Sequence, residues 1–535
     1  MSPEKRNALP FRIATWAALL VTLALVIFAR TRLLGLPLER DEGEYAYTGQ
    51  LLLHAIPPYK LAYSMKFPGT GVAYALLMSI FGQSAVGVHI GLIVINLIAA
   101  GLIFFLGRNI FGEIPGIAAA ATYSVLSLMP HILGQAAHAS HFVVLFTVAG
   151  TLVLIRALDR QSPWLIFTSG CLFGLASMMK QPGLFFVLFG SLYLLSRDWR
   201  AQLEAKEILF RNLLFCLGVS VPCFTAGLSL WISGVFGKFW FWTVQYATQY
   251  GSQVGLGQGM QILAERFWIT MGTAWPIWAM AMLGLIACLL MAAVRKRAGF
   301  LVTFAFFSAL AVCPGFYFRP HYFILVLPAV SLLAAAAVVA AFEAFKHLQT
   351  ATRFGVVGLF AACLAWPLWS ERDFFFERQL EKANRMVNGT NPFPESVKIG
   401  EYIREQSAPS DTIAVLGSEP QIYFYAQRRS ATGYIYTYSL METQPYAHQM
   451  QQEMINEIEA ARPKFLVLVV ISKSWLAGPD SDQSIFRWAD RYCDANYDEV
   501  GLINISEEGS NYYFSGRPAN VKPTAEHILI YRRKT

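Results

Sequence analysis

The chain has 535 residues, of which 55% are hydrophobic and only 14% are charged. Soluble globular proteins carry about 25% charged residues, so this chain has too little charge to cover a soluble surface of its size. The same numbers exclude a disordered chain, a coiled coil and a disulfide-rich scaffold. The composition therefore predicts a polytopic α-helical membrane protein. The net charge of +8 has to be explained by where the charges lie.

Apolar runs recur along the first 370 residues. A membrane-spanning helix needs about 20 mostly apolar residues, and the sequence predicts about eleven spans. The predicted spans are Phe11–Ala29, Ala85–Leu106, Ile114–Met129, His141–Leu158, Trp164–Met179, Gly183–Leu195, Ile208–Gly234, Phe267–Ala293, Gly299–Cys313, His321–Phe342 and Phe354–Trp369. A further run, Phe67–Phe81, is too short to span and is expected to lie at the membrane interface.

The basic residues predict an orientation for these spans. When the N-terminus is placed in the cytoplasm, most Lys and Arg residues fall in cytoplasmic loops, as the positive-inside rule requires. Eleven spans then place the C-terminal region outside the cytoplasm. Residues 1–370 carry a net charge of +12 and residues 371–535 a net charge of −4. The positive charge therefore mainly sets topology, and it gives no support for nucleic acid as a partner.

The composition changes near residue 370, where the chain becomes rich in charged residues. Residues 371–535 are predicted to form a soluble α/β domain on the outer face, and residues 1–370 to form the membrane region. Helical spacing marks Glu395–Gln406 and His448–Ala461, whereas Thr412–Leu416 and Lys464–Ile471 are predicted strands. The order of strand, helix and strand suggests a βαβ unit.

Acidic residues are rare in the membrane region and unevenly placed. Of the twelve Asp and Glu residues in 1–370, four fall within six positions. These four are Glu39, Asp41, Glu42 and Glu44. One interpretation is an amphipathic helix that lies in the membrane interface. The other is an outer catalytic loop over residues 30–84, because neighbouring carboxylates can take different roles and because aromatic, basic, Pro and Gly residues follow them closely.

Polar residues also mark later loops on the same predicted side of the membrane. They are His138, His141, Lys180, Arg266, Arg319 and His321. The histidine spacing permits metal ligation without indicating it, and interfacial histidines are the favoured interpretation. Charged residues at membrane level are candidates for function, although Lys and Arg at span ends also reach toward water. Carboxylates that take a proton from a hydroxyl, and cations that hold a phosphate, would suit a substrate that is both apolar and anionic.

The first outer loop resembles that of GT-C glycosyltransferases. The residues that carry the resemblance are Glu39-Arg40-Asp41-Glu42-Gly43-Glu44-Tyr45, Ile56-Pro57-Pro58-Tyr59, Lys66-Phe67-Pro68-Gly69 and Phe81-Gly82. More narrowly, residues 1–370 are similar to the dolichyl-phosphate-mannose protein mannosyltransferase superfamily (glycosyltransferase family 39) and to bacterial lipid A aminoarabinose transferases. The resemblance implies a GT-C fold, a polyprenyl-phosphate-linked sugar as donor, and an acceptor hydroxyl on a lipid, glycan or protein.

The resemblance also implies roles for residues. Asp41 is expected to be the general base or the carboxylate that orients the acceptor, and Glu42 to support it or to help bind a divalent ion. Lys66 is expected to bind the donor phosphate, and topology adds Arg266, Arg319 and His321 as candidates for that phosphate. Further candidates for substrate or metal contacts are Glu44, Tyr59, His138, His141 and Lys180. Many relatives carry another acid where this chain has Ser140, which leaves metal binding open.

These expectations define one preferred function and two alternatives. The preferred function is transfer of a sugar to an acceptor on the extracytoplasmic face of a cell inner membrane, with inversion, because a base opposite the phosphate would attack in line. One alternative is a transporter or flippase for a lipid-linked sugar, which often shows internal repeats. The other is a non-catalytic membrane receptor or assembly factor that uses the outer domain as its binding module.

Overall fold

Helices form the greater part of the computed structural model, which describes residues 3–345, 350–516, 518 and 520–534. Each predicted apolar run overlaps a helix. These helices are Pro3–Arg32, Ala85–Phe111, Glu113–Leu126, Ala139–Arg160, Pro163–Met179, Gly183–Arg200, Ala205–Ile232, Trp275–Leu290, Ala292–Leu310, Leu327–Ala344 and Thr350–Ser370. The described part of the chain is therefore that of a polytopic α-helical membrane protein.

The predicted count of about eleven spans is not confirmed. Among the described residues, seven helical segments are long and apolar enough to cross a membrane. Glu113–Leu126 has 14 residues and Pro163–Met179 has 17. At about 1.5 Å per residue such helices reach roughly 21–26 Å, short of the ~30 Å hydrocarbon core. Ala292–Leu310 carries three consecutive basic residues in its first turns, which lowers its hydropathy.

Short helical segments connect the long ones. Leu256–Met271 leads through the 3₁₀ turn Gly272–Ala274 into Trp275–Leu290, and Arg372–Phe375 follows the last long helix. The other 3₁₀ segments are Pro130–Ile132, Pro314–Phe316 and Pro320–Val326. Each of these three starts with proline, whose fixed φ suits a first helical position.

The chain forms two compact units, each built from separated stretches of sequence. The first unit contains Met1–Leu34, His89–Gly227 and Gly251–Phe376. The second unit contains Gly35–Val88, Leu228–Tyr250 and Glu377–Thr535. Most of the predicted catalytic loop is therefore grouped with the C-terminal region. The boundary near residue 370, as the point where the membrane region ends, stays a prediction.

The second unit contains a six-stranded sheet. Its strands are β1 Thr412–Leu416, β2 Arg429–Ser430, β3 Phe465–Val470, β4 Tyr497–Ser506, β5 Gly509–Phe514 and β6 His527–Arg533. The order is β2-β1-β3-β6-β4-β5, in which β1 pairs in parallel with β2 and β3, and the remaining pairs are antiparallel. The predicted strand–helix–strand order is confirmed, since β1 and β3 are adjacent parallel strands joined by a segment that includes the helix Ala447–Ala461.

The helices of the second unit are mostly short. They are Arg40–Leu53, Gly69–Phe81, Phe236–Trp240, the π-helical Phe241–Tyr246, Ala247–Gly251, Leu380–Asn388, Phe393–Glu405, Gln421–Ala426, Tyr438–Met441, Ala447–Ala461, Ser472–Trp475 and Ser484–Asn496. The helix Arg40–Leu53, called the acidic helix below, contains three of the four clustered acids, and Glu39 precedes it. Gly69–Phe81 is the short apolar run that the sequence places outside the spans.

Aromatic side chains join the three stretches of the second unit into one core. Tyr63 and Trp242 stack with ring centroids 5.7 Å apart, and both contact Tyr434. The core also contains Ala414 and Leu416 of β1. Because Tyr63 and Trp242 come from two stretches that precede the sheet and are separated from it along the chain, the core depends on all three parts of the unit.

Candidate active site

A reciprocal pair of hydrogen bonds fixes the start of the acidic helix. Glu39 is the N-cap, and its carboxylate accepts the backbone N–H of Glu42 at 2.8 Å, while Glu42 Oε2 accepts the backbone N–H of Glu39 at 3.2 Å. This capping box satisfies two amide donors that a helix start leaves open. Burial, then Asp41 and Glu42, raises the pKa of Glu39 well above its usual range. Two of the four clustered acids thus have a structural task.

The other two acids share one lysine. Lys66 Nζ lies 2.9 Å from Asp41 Oδ1 and 2.6 Å from Glu44 Oε2. Positions 41 and 44 are three apart, so both side chains lie on the same face of the acidic helix. Burial lowers the pKa of the Lys66 ammonium, but Asp41 and Glu44 outweigh burial and hold that pKa well above its usual range. Lys66 therefore keeps its proton.

The loop after the acidic helix holds Lys66 in place through its own contacts. The Ser64 hydroxyl donates to Glu44 Oε1 at 2.5 Å and accepts the backbone N–H of Lys66 at 3.1 Å. The buried Tyr59, whose φ is +64°, donates its hydroxyl to the backbone carbonyl of Lys66 at 2.7 Å. Lys66 Nζ also lies 4.6 Å from the ring centroid of Tyr45. Tyr59, a predicted substrate contact, therefore supports the backbone of the loop.

A tyrosine from the C-terminal stretch of the same unit completes this group. The Tyr436 hydroxyl lies 3.4 Å from Asp41 Oδ1, and Lys66 Nζ lies 5.7 Å from the Tyr436 ring centroid. Burial and the charge of Asp41 raise the pKa of Tyr436 well above its usual range, so the hydroxyl keeps its proton. We call Asp41, Glu44, Lys66 and Tyr436 the carboxylate site. It combines a proton acceptor, an ammonium and a hydroxyl donor.

A buried ion pair ties the acidic helix to the C-terminal stretch. Arg40 Nη2 lies 2.5 Å from Glu419 Oε1, and Arg40 Nε donates to the carbonyl of Ser418. Both side chains of the pair are at least nine-tenths buried. Beside them, a Cβ on Gly43 would lie 2.6 Å from the backbone nitrogen of Gln421, so the two backbones approach as closely as they do because position 43 has no side chain.

The other predicted site residues lie in the first unit, where four side chains form a second group. The rings of His138 and His321 stack at 4.0 Å, His321 meets Tyr322 edge-on at 4.8 Å, and Lys180 Nζ lies 3.9 Å from the Tyr322 ring centroid. We call these four residues the histidine–lysine cluster. The structure therefore brings together three residues that the sequence named separately.

Three further predicted site residues, His141, Arg319 and Arg266, are not members of the histidine–lysine cluster. His141 is fully buried, and neither of its ring nitrogens has a hydrogen-bond partner among the described residues. Arg319 is partly buried, with its guanidinium 5.7 Å from the Tyr317 ring centroid. Arg266 is exposed on the helix Leu256–Met271. Their predicted contacts with a donor phosphate or a metal stay predictions.

Sequence reasoning missed Tyr436, Ser64, Tyr45 and the Arg40–Glu419 pair. Ser64 and Tyr45 lie inside the predicted loop, where a polar residue between Tyr59 and Lys66 was the available signal. Tyr436 is 395 positions from Asp41, and the tyrosine-rich stretch 434–438 is the local signal around it. No spacing rule connects positions so distant along the chain.

Known proteins resemble this chain in part of the sequence and in fold. A family model described as dolichyl-phosphate-mannose-protein mannosyltransferase matches residues 66–225. Among curated protein sequences, none is significantly similar to the chain. ArnT from Cupriavidus metallidurans bound to undecaprenyl phosphate is 14% identical, with 98% of each chain covered and a TM-score of 0.57.

Two archaeal oligosaccharyltransferase structures are also similar in fold to this chain. The Archaeoglobus fulgidus oligosaccharyltransferase tethered to an acceptor peptide is 12% identical and has a TM-score of 0.54. The same organism's oligosaccharyltransferase AglB, in complex with an inhibitory peptide and a dolichol-phosphate, is 13% identical and has a TM-score of 0.51. In both cases 95% of this chain and 75% of the other are covered. The chain thus has the GT-C fold, as the resemblance of its first outer loop implies.

Proposed function

We propose that this protein is a membrane glycosyltransferase that moves a sugar from a polyprenyl-phosphate donor to an acceptor hydroxyl. The fold supports the proposal, because the ArnT structure contains undecaprenyl phosphate and the AglB structure a dolichol-phosphate. The matched family is one of mannosyltransferases that use a dolichyl-phosphate-linked sugar. The observation that carries the proposal is the carboxylate site, in which Asp41 is held by Lys66 and Tyr436.

In the proposed reaction Asp41 is the general base. Its carboxylate takes the proton of the acceptor hydroxyl while the acceptor oxygen forms a bond to C1 of the sugar. The bond from C1 to the phosphate oxygen breaks, and its electron pair leaves with the polyprenyl phosphate. Attack on the face opposite the phosphate inverts the configuration at C1. A positioned base contributes roughly 10²–10⁴-fold to such a step.

We propose that Lys66 positions the carboxylate of Asp41. Its ammonium already compensates two carboxylates, so a donor phosphate at Nζ would have to displace one of them. We therefore propose that the donor phosphate binds the other predicted phosphate contacts, Arg266, Arg319 and His321, with Lys180 as a further candidate. A preorganised donor to a developing negative charge is worth about 2.7–4 kcal/mol in comparable enzyme sites.

The proposed step is written without a divalent ion between the carboxylates of the acidic helix. Asp41 and Glu44 both contact the ammonium of Lys66, and an ion placed between them would have to displace it. The proposal therefore predicts that chelation with EDTA leaves turnover unchanged. Loss of turnover that Mg²⁺ or Mn²⁺ restores would contradict this part of the proposal.

Transfer of radiolabelled sugar from a polyprenyl-phosphate donor, measured in proteoliposomes, tests the function. Asp41→Asn should abolish transfer, while the matched variant Asp480→Asn, at an exposed position outside the site, should keep it. Full transfer by Asp41→Asn would refute the base assignment. A flippase or a receptor would show no transfer in the wild type.

We further propose that the protein lies in a bacterial inner membrane with its N-terminus in the cytoplasm and residues 371–535 on the outer side. The distribution of basic residues supports this orientation. Protease added from each side of sealed vesicles tests it, with cleavage after residue 370 expected from the outer side. Cleavage in that region from the cytoplasmic side alone would overturn the orientation.

A further inference from the structure

A polar cavity lies within the second unit, near the C-terminal end of the acidic helix. Its volume is about 730 Å³, within the range of ~300–1,000 Å³ that is typical of small-molecule sites. The residues that line it are Tyr47, Gln50, Leu51, His54, Ile56, Gln83, Pro409, Gln427, Arg428 and Arg429. None of these ten residues is acidic, and none of them belongs to the carboxylate site.

The lining combines an apolar floor with hydrogen-bonding groups. Tyr47 and Leu51 are almost fully buried and lie one turn apart on the acidic helix. Gln50 donates its Nε2–H to Gln83 Oε1 at 3.3 Å. His54 Nδ1 lies 2.8 Å from the carbonyl of Gln50, and because a carbonyl only accepts, Nδ1 is the donor of this hydrogen bond. Amides and a ring nitrogen thus offer both donors and acceptors.

Two arginines give the cavity a positive charge. Arg428 is buried, and its guanidinium donates to the Ser407 hydroxyl and to four backbone carbonyls. Arg429 is exposed on the edge strand β2. Among the described residues, no carboxylate forms an ion pair with either arginine. Burial lowers the pKa of Arg428, against the opposing effect of Asp411, as expected for a cation held by neutral acceptors.

We propose that this cavity binds a sugar that carries a phosphate or carboxylate group, as the distal part of the acceptor. Side-chain amides suit sugar hydroxyls, an apolar floor suits the C–H face of a pyranose ring, and an arginine suits the anionic group. Gln50 follows Asp41 by nine helical residues, which places it roughly 13 Å farther along the acidic helix. The inference rests on the proposed function, since it assigns the acceptor chemistry of the same enzyme.

Direct binding without donor tests the proposal on the purified full-length protein in nanodiscs. The probes are glucose 6-phosphate, glucuronate and neutral glucose, measured by calorimetry, and a lipid that carries the same hexose phosphate as its headgroup. Wild type should bind the two anionic sugars at least tenfold more tightly than glucose. Arg429→Gln should weaken anionic sugars about 10- to 100-fold, as expected for a hydrogen bond to a charged group. Arg491→Gln, an exposed arginine on the helix Ser484–Asn496, is the matched control and should change nothing.

Several outcomes separate this proposal from the proposed function. Equal affinity of glucose and the anionic sugars, or equal affinity of wild type and Arg429→Gln, would overturn it. Anionic-sugar binding without sugar transfer would refute the function and leave the cavity assignment standing, whereas transfer without such binding would do the reverse. Tighter binding of the lipid-linked probe would identify a glycolipid as the source of the group, and equal binding a soluble glycan.

Discussion

Replacement of Tyr436 by Phe removes one hydroxyl that lies 3.4 Å from Asp41 Oδ1 and leaves the ring in place. A net hydrogen bond contributes about 0.5–1.5 kcal/mol, and this contact is longer than the ~2.7–2.8 Å typical of O–H···O bonds. We therefore expect a loss of about 2- to 10-fold in kcat, since a factor of ten corresponds to ~1.4 kcal/mol. The donor KM should stay unchanged, because the hydroxyl contacts Asp41, the proposed base.

The chain offers a matched control two residues away. Tyr438 is also partly buried, and its hydroxyl donates to the backbone carbonyl of Lys473 instead of to Asp41. Both variants are assayed by sugar transfer between about pH 6 and 9, a range in which a tyrosine with a raised pKa keeps its proton. The Tyr436→Phe deficit should therefore be the same across this range. Equal kcat for Tyr436→Phe and Tyr438→Phe would refute the reasoning, and a deficit that grows with pH would identify Tyr436 as an ionising catalyst.

Three further predictions concern the support of the carboxylate site. Lys66→Met should abolish sugar transfer and lower the thermal unfolding temperature. Lys66→Arg, compared with Lys66→Met, should recover more of the unfolding temperature than of the transfer activity. Wild-type transfer by Lys66→Met would contradict the positioning role. Glu419→Gln removes the negative charge that compensates the buried Arg40 and should cost about 3–5 kcal/mol of stability. The loss is measured by intrinsic fluorescence on heating, and an unchanged unfolding temperature would contradict the prediction. Gly43→Ala forces a Cβ against the backbone of Gln421 and should cost about 1–3 kcal/mol, whereas Gly101→Ala, where a Cβ meets nothing within 4 Å, should not destabilise.

Local features of the sequence predicted a large part of the fold and of the site. The acidic cluster stood out because carboxylates are rare in the first 370 residues. Asp41 and Glu44 on the acidic helix contact Lys66 in the loop that follows it, only 25 positions from Asp41. The strand–helix–strand order around β1 and β3 followed from periodicity. The number of spans could not be read in the same way, because short helices such as Glu113–Leu126 have an apolar composition without the length of a span.

Contacts between distant positions left no local trace. Glu42 was predicted to support Asp41, and the structure shows in addition that its side chain caps the acidic helix together with Glu39, a contact that the sequence did not predict. Tyr436 and Glu419 reach the acidic helix through the tertiary fold of the second unit. Hydrophobic periodicity predicts which helices and strands form, but it does not specify which side chains from distant parts of the chain will contact one another.

The second unit is built from three separate stretches of the chain, and this has a consequence for its biogenesis. The acidic helix leaves the ribosome early, whereas Glu419 and Tyr436, which hold it, are made after every membrane helix. Until then Tyr63 and Trp242 lack the strand residues that complete their core. A chain interrupted before β1 would contain its long helices and yet lack Tyr436 and Glu419, so the carboxylate site would stay incomplete until the C-terminal stretch of the second unit is made.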